Sequence, residues 1–145
     1  MGGMSAPREV IVRGSAADFA QTVEVAGFHL GADEPRELGG GNNAPTPYDL
    51  LLAALGTCTS MTIGLYARQH AIPLESITVR LTQERVHETD CADCENGERY
   101  IHKIHLAIDL SGELLTDEQR TKLRRIAARC PVHKTLTSKI SIEVV

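Results

Sequence analysis

The sequence predicts an α+β fold that forms one domain over residues 1–145. Several segments alternate apolar and polar residues, which is the pattern of half-buried strands. Two other segments begin with helix-capping signals and continue with apolar residues. The segments follow one another as hairpin, helix, strands, helix and strand, an order typical of α+β proteins. Residues 1–6 precede these patterns and are expected to be disordered or foreign to the natural chain, with Met4 as the natural start.

The first predicted element is a strand pair. The segments "REVIVR" and "AQTVEVAGFHL" both alternate, and Ala26-Gly27 in the second segment is typical of a hairpin turn. The segment that follows, "LGGGNNAP", is rich in Gly and Asn, which indicates a mobile loop. It also lacks the lysine of a phosphate-binding loop.

A long helix should follow this loop. Thr46 suits its N-cap, Pro47 its first turn, and Asp49 lies three residues after the cap. The helix should run to about His70, before Pro73. Residues 50–67 carry no charge, and these eighteen residues just reach the length of a membrane span. Because small and polar residues fill their middle, we predict instead a helix through the centre of the fold, open to close approach by a second subunit.

The second half of the chain predicts two long strands, a helix and a closing strand. Residues 77–82 and 104–110 alternate with a period of two. Thr116 and Gln119 form a capping-box signature for the next helix. That helix should bury one stripe and end before Pro131, which begins the short turn "PVHKTL". The stripe consists of Leu123, Ile126, Ala127 and Cys130, and the closing strand of Ile140, Ile142 and Val144.

Composition and charge exclude some classes of function. The net charge is −4, Trp is absent, and the chain has only three Tyr and two Phe. A nucleic-acid binder would usually carry a basic surface and aromatic side chains for base stacking. Because no basic segment is followed by an apolar signal core, we expect a cytoplasmic protein. No serine-hydrolase elbow or dinucleotide-binding fingerprint occurs.

Two of the four cysteines, Cys91 and Cys94, form a CxxC motif in "DCADCE". A zinc site would need two further ligands, for which His87 and either His102 or His105 are candidates. A solvated loop, a non-catalytic disulfide and a redox dithiol are the alternatives. His102 falls on the same strand face as Ile104 and Leu106, so we predict a core histidine there.

The other two cysteines, Cys58 and Cys130, are 72 positions apart. Cys58 lies mid-helix, where it is either a small buried apolar residue or a thiolate that needs a cation brought by the fold. Cys130 precedes Pro131, which disfavours helical geometry, and three basic side chains follow or precede it closely: Arg129, His133 and Lys134. These features favour a Cys130 thiolate. Alternatively, Cys130 only completes the apolar stripe of its helix.

Two motifs carry a family resemblance. The segments "PTPYDLLLAALGTCTSMTIGLYA" and "RIAARCPVHKTL", in this order, resemble the OsmC/Ohr family of thiol-dependent peroxide-reducing proteins. The similarity runs from about Pro35 to Val145 and is greatest to the broad OsmC-like branch. It implies an intertwined α+β homodimer, with two sheets wrapped around long central helices and active sites at the dimer interface.

The resemblance also implies a chemistry. Cys58 matches the peroxide-attacking cysteine, which becomes a sulfenic acid as an organic hydroperoxide is reduced to an alcohol. Cys130 matches the resolving cysteine, which forms a disulfide with Cys58 that an external dithiol, lipoyl-linked in some members, reduces. No cofactor is required. The alternative is a redox-sensing, metal-binding or small-ligand-binding protein on the same fold, without efficient turnover.

The chain departs from the best-studied branch at the activating residues. There a Glu follows the Pro that begins the central helix and clamps an Arg over the thiolate. Tyr48 occupies that position here, and Asp49 comes one residue later, where it either substitutes for the Glu or caps the helix. Arg13 is the better match for the Arg, and Arg36 is second. We predict that Arg13 approaches Cys58 and lowers its pKa.

Overall fold

The computed structural model of the protein describes residues 8–87 and 100–145. They belong to two compact units that divide between Leu51 and Leu52. The fold is mixed helix and strand, with two small sheets and a long central helix, as the sequence predicts. The predicted organisation as a single domain stays a prediction.

The first unit contains a three-stranded antiparallel sheet. Its strands are paired in sequence order, and β2 and β3 are joined by a two-residue turn between Val25 and Phe28. The two turn residues, Ala26 and Gly27, have positive φ angles of 50° and 82°, the geometry that suits the twist of a hairpin. The predicted hairpin is therefore confirmed. The strands are β1, Val10–Arg13; β2, Gln21–Val25; and β3, Phe28–Ala32.

The loop after β3 is organised around the buried carboxylate of Asp33. This group accepts hydrogen bonds from the backbone N–H groups of Glu34 (2.8 Å), Gly41 (3.4 Å) and Asn43 (3.2 Å). The backbone N–H of Asp33 donates to the carbonyl oxygen of Pro45 at 3.0 Å. The Gly/Asn-rich segment, which the sequence marks as mobile, thus has defined hydrogen bonds. They fix the chain just before the long helix.

The long helix α1 spans Pro47–Gln69, close to the predicted bounds. Its start is held by a reciprocal pair of hydrogen bonds. The N–H of Thr46 donates to Asp49 Oδ2 at 3.0 Å, and the N–H of Asp49 donates to Thr46 Oγ1 at 3.2 Å. This arrangement satisfies backbone N–H groups that lack partners within the helix. Of the two roles considered for Asp49, helix capping is confirmed.

Within the second unit, α1 lies against a two-stranded antiparallel sheet of β4, Ser76–His87, and β5, Tyr100–Ser111. The strands pair along their whole length, from Ser76 opposite Ser111 to His87 opposite Tyr100. The helix approaches β4 closely at Gly56, where an added Cβ would lie 2.6 Å from Leu81 Cδ1. The small residues of α1 therefore allow this sheet to approach the helix.

The second unit also contains α2, Asp117–Ile126, a 3₁₀ turn over Ala127–Arg129, and α3, Pro131–Leu136. Thr116 and Gln119 form the predicted capping box of α2. The stripe predicted for this helix is buried, which confirms its orientation. The core of the unit joins α1, β5 and α2, and its buried members are Ile63, Ala67, Leu110, Leu115, Leu123 and Ala127.

The predicted closing strand is wrong. Residues 139–145 have no strand structure, and Ile140, Ile142 and Val144 are exposed, Ile142 at 85%. A strand needs a neighbour to pair with its backbone N–H and C=O groups. No strand among residues 8–87 and 100–145 offers that pairing, so the alternating pattern does not form a sheet within this chain.

Helix α1 is poorly covered for its composition. Among the described residues it is the one helix long and apolar enough to cross a membrane, with a mean hydropathy of 1.6 over its best window. Only 28% of that window is buried within the chain. A central helix of a soluble fold would have most of its apolar surface covered. Much of the apolar surface of α1 is therefore available to another partner.

Candidate active site

The fold brings Cys58 and Cys130 into direct contact. Both are free thiols, and their side chains are hydrogen-bonded to each other. Cys58 is half-buried in the middle of α1, whereas Cys130 is fully buried. Spacing in the sequence left open whether the two meet. A disulfide between two cysteines requires that their thiols meet in this way.

The position of Cys130 follows from the residue after it. Pro131 begins α3 and disfavours helical geometry at the preceding residue, and Cys130 accordingly has φ −55° and ψ 126°. Its N–H donates to the carbonyl of Ala127 at 3.2 Å, and its carbonyl accepts from the N–H of Lys134 at 3.1 Å. The backbone of Cys130 is thus fixed from both sides, at a break between two helical segments.

Backbone amides and threonine hydroxyls surround the two sulfur atoms. The N–H of Val132 is hydrogen-bonded to both thiols, and the N–H of His133 to Cys130. The hydroxyl of Thr59 is hydrogen-bonded to Cys130, and that of Thr62 to Cys58. None of these groups is a charged side chain. They favour a thiolate by orienting dipoles toward it.

The two thiols have opposite pKa shifts. Burial raises the pKa of Cys58, and its hydrogen bond to Cys130 raises that pKa further. Burial also opposes ionisation of Cys130, but the hydrogen bond from Cys58 and those from His133 N–H and the Thr59 hydroxyl outweigh it and lower the Cys130 pKa. In this geometry Cys130 loses its proton first, and Cys58 donates a hydrogen bond to it. This agrees with the prediction that Cys130 favours a thiolate. The groups that stabilise the thiolate are backbone amides and a hydroxyl, however, and not the basic side chains that the sequence indicates.

All three candidates for an activating residue lie in the first unit. The guanidinium of Arg13 donates to Glu24 Oε2 at 3.0 Å across β1 and β2, and both side chains are substantially exposed. Asp49 is used by the helix cap. Arg36, the second candidate, is exposed in a 3₁₀ turn. The predicted effect of Arg13 on Cys58 stays a prediction.

The predicted core position of His102 is wrong. His102 is exposed, and its Nδ1 lies 3.2 Å from Gln83 Nε2. The reason is a gradient of burial along β5, where Ile104 is half-buried and Leu110 fully buried. The core covers only the Ser111 end of the strand pair. His105, on the other face, has its Nε2 3.2 Å from Glu84 Oε1.

The metal site stays a prediction. Cys91 and Cys94 lie outside the described residues, so the zinc, disulfide and redox alternatives for them remain open. His87 is the last residue of β4. Among the side chains that the structure describes, in residues 8–84 and 102–145, no three His, Cys, Asp or Glu are grouped as metal ligands.

Thr59 is a site residue that sequence reasoning missed. It was treated only as a small neighbour of Cys58. A signal was nevertheless present, because Leu55, Thr59, Ile63 and Ala67 recur every four residues on α1, and all four are buried. A polar residue in a buried helical stripe requires a partner. Its partners are the Leu55 carbonyl one turn earlier, at 2.8 Å, and Cys130. The second partner becomes apparent only once α1 is packed against the turn before α3.

Comparisons with known proteins agree with this fold. A family model described as OsmC-like protein matches residues 39–145. No curated protein matches the chain.

Solved structures give the same result. A Psychrobacter arcticus protein, provisionally named an osmotic stress induced and detoxification response protein, has a TM-score of 0.67 at 25% identity, covering 93% of this chain and 90% of that one. The organic hydroperoxide resistance protein OsmC from Legionella pneumophila has a TM-score of 0.67 at 20% identity, over 90% and 89% of the two chains. An organic hydroperoxide resistance protein from Elizabethkingia anophelis has a TM-score of 0.67 at 18% identity, over 94% and 91%.

Proposed function

Because the chain belongs to the OsmC-like protein family, we propose that it is a cysteine-based peroxidase that reduces organic hydroperoxides to alcohols. The observation that carries this proposal is the hydrogen-bonded pair of Cys58 and Cys130. Two adjacent thiols in a partly buried site are the minimum that a self-resolving thiol peroxidase needs. The names of two similar structures, both organic hydroperoxide resistance proteins, support the same substrate class.

The first proposed step is attack on the peroxide. The resemblance assigns it to Cys58, whose proton can pass to Cys130 along the hydrogen bond between the sulfurs. The Cys58 thiolate then attacks the outer oxygen of ROOH and the O–O bond breaks. The sulfur becomes a sulfenic acid, and the alkoxide takes up a proton and leaves as the alcohol. Arg13 is proposed to stabilise the Cys58 thiolate in the assembled protein.

The second proposed step resolves the sulfenic acid. The sulfur of Cys130 attacks the Cys58 sulfur, the S–O bond breaks, and water leaves as the disulfide forms. An external dithiol, such as a lipoyl-type reductant, restores both thiols by exchange and is itself oxidised to a disulfide. These steps require no metal or organic cofactor.

We further propose that the protein works as a homodimer in the cytoplasm. Its helix α1 is highly apolar, yet only 28% of its best window is buried within one chain. Large apolar side chains are also exposed on the strands of the first unit, including Val12, Phe28 and Leu30. A second copy covering these surfaces would explain them without a membrane. Because Cys58 lies on α1, the same contact would shield the thiol site.

The test of the function is a steady-state assay with cumene and tert-butyl hydroperoxides and a panel of monothiols and dithiols. The wild-type protein should consume peroxide when a dithiol is supplied. Cys58→Ser should reduce the rate to that of the dithiol alone. Full activity in Cys58→Ser would refute the assignment of the attacking thiol.

A redox sensor on the same fold is the second candidate. Asp49 and Arg13 were both candidates for activating Cys58. Because Asp49 instead caps the helix and Arg13 instead pairs with Glu24, their contacts favour a sensor. Intact mass after one equivalent of peroxide separates the two functions. Loss of two mass units with no turnover under any reductant would favour the sensor.

A further inference from the structure

Thr59 is a buried polar residue whose hydroxyl has two competing partners. Its side chain is fully buried, and its Oγ1 donates to the carbonyl oxygen of Leu55 at 2.8 Å. The same hydroxyl is hydrogen-bonded to Cys130, which is also fully buried. Burying a hydroxyl is unfavourable unless it is hydrogen-bonded, so both contacts bear on its position.

The two contacts of the Thr59 hydroxyl depend on whether Cys130 is protonated. A threonine hydroxyl has one proton to donate and two lone pairs that accept. While that proton is directed at the Leu55 carbonyl, the oxygen can only accept from Cys130, which requires the protonated thiol. A Cys130 thiolate has no proton and can only accept. The hydroxyl must then turn its proton from Leu55 to the sulfur.

The cost of this turn is small. The Leu55 carbonyl lies inside α1, where it also accepts the backbone N–H of the residue four positions later, as every helical carbonyl does. Losing the hydroxyl therefore leaves the carbonyl satisfied. The thiolate, in contrast, gains a donor in a site from which water is excluded.

We propose that Thr59 is a positioning residue that moves its hydroxyl proton between the Leu55 carbonyl and the Cys130 sulfur and thereby sets which of the two thiols ionises first. The meaning of this order for catalysis rests on the proposed peroxidase function. The order itself is a property of the reduced protein and is measurable without peroxide.

Other ionisable groups also adjoin Cys130. They are Cys58 on α1, Arg129 on the 3₁₀ turn, and His133 and Lys134 on α3. A variant that changes only the Thr59 hydroxyl leaves all four in place. Their effects therefore cancel when variant and wild type are compared.

The experiment follows the ¹³Cβ chemical shift of each cysteine by NMR as a function of pH in the fully reduced protein, a readout that needs no access to the buried Cys130 sulfur. Thr59→Val keeps the shape of the side chain and removes the hydroxyl. It should raise the midpoint of the Cys130 titration by about one pH unit, the tenfold effect of losing one hydrogen bond to a charged group. Thr59→Ser should retain the wild-type profile. Thr57→Val is the matched control, since the Thr57 hydroxyl donates only to the helix carbonyls of Ala53 (2.8 Å) and Ala54 (3.1 Å).

An unchanged Cys130 profile in Thr59→Val, or the same loss in Thr59→Ser, would overturn the proposal. If Thr59→Val does not fold, the wild-type protein provides the test by NMR. The ¹³Cβ shift of Thr59 should titrate with the same midpoint as that of Cys130, while that of Thr57 should not. A flat Thr59 shift would overturn the proposal. If Thr59→Val changes the Cys130 profile as expected but the wild-type protein does not turn over peroxide, only the proposed function is refuted.

Discussion

Asp33 in the first unit and Cys130 in the second are both buried acids that backbone amides stabilise. Asp33 accepts three N–H groups from its own loop, chiefly those of Glu34 and Asn43, and they lower its pKa. Cys130 is held by the amides of the segment that follows it, but its strongest favourable contact is a second thiol, Cys58. The difference shows why one group is structural and the other suits chemistry. Among the described residues, the partners of Asp33 are backbone amides, whereas Cys130 has a thiol neighbour with which it can exchange a proton.

The largest effect on activity should follow from removing the Cys130 thiol. In Cys130→Ser, Cys58 keeps its place on α1 but has no thiol to resolve its sulfenic acid. We expect peroxide consumption to stop after about one equivalent per site, with Cys58 trapped as sulfenic acid or oxidised further. Trapping by a dimedone-type reagent and intact mass would report these species. Sustained turnover at the wild-type rate would show that Cys130 is not the resolving thiol.

A smaller effect should follow at Asp33, on stability rather than chemistry. Because the backbone hydrogen bonds hold the folded pKa of Asp33 below the usual pKa of an aspartate, its contribution to stability is present above that usual pKa. It is lost as the pH falls through the lower folded pKa. Asp33→Asn should lower the urea midpoint at pH 7 and flatten its decline in acid. Asp18→Asn, which alters an exposed turn carboxylate, is the control. Equal acid sensitivity in Asp33→Asn and wild type would refute this role.

The order in which Cys58 and Cys130 ionise gives a further prediction. Since the Cys130 pKa is lowered and the Cys58 pKa raised, Cys130 should titrate at a lower pH than Cys58. The ¹³Cβ shifts of the two cysteines, followed by NMR from pH 5 upward, test this directly. A first ionisation at Cys58 would indicate that a group other than the amides and hydroxyls beside the two thiols acts on Cys58. A first ionisation at Cys130 would favour it as the first nucleophile and reverse the roles that the family resemblance assigns.

The smallest expected effect on stability is at Arg13. Its ion pair with Glu24 is exposed, so Arg13→Ala should change the free energy of unfolding by less than about 1 kcal/mol. If Arg13 also stabilises the Cys58 thiolate in the assembled protein, the same variant should shift Cys58 alkylation to higher pH. Glu24→Gln, which removes the partner and keeps the arginine, is the matched control. Identical Cys58 profiles in wild type and Arg13→Ala would remove Arg13 from the site.

Much of the fold could be predicted because its signals are local. Capping residues at Thr46 and Thr116, the hairpin turn at Ala26-Gly27 and the buried stripe of α2 all depend on neighbours a few positions away. The predictions for residues 140–144 and for His102 failed because alternation says which residues share a face, not whether anything covers it. Whether a strand face is covered depends on segments that are distant in the sequence.

The candidate site was predictable only in part for the same reason. The two cysteines could be identified from their motifs, and the Pro131 break could be derived from sequence. Their contact, and the opposite shifts of their pKa values, depend on how α1 packs against the turn before α3. Thr59 acquires its significance from that packing alone. The four-residue stripe could have indicated its burial, but no signal indicated the sulfur beside it.

The uneven cover of the β4–β5 pair has a consequence for how the molecule opens. Both strands are twelve residues long, yet the core supports only the end at Ser76 and Ser111. Amide hydrogen exchange should therefore be graded along the ladder, slowest near Ile77 and Leu110 and faster toward Glu84 and Lys103. Exchange at the uncovered end would report local fraying of the pair, while exchange at the covered end would report unfolding of the whole unit.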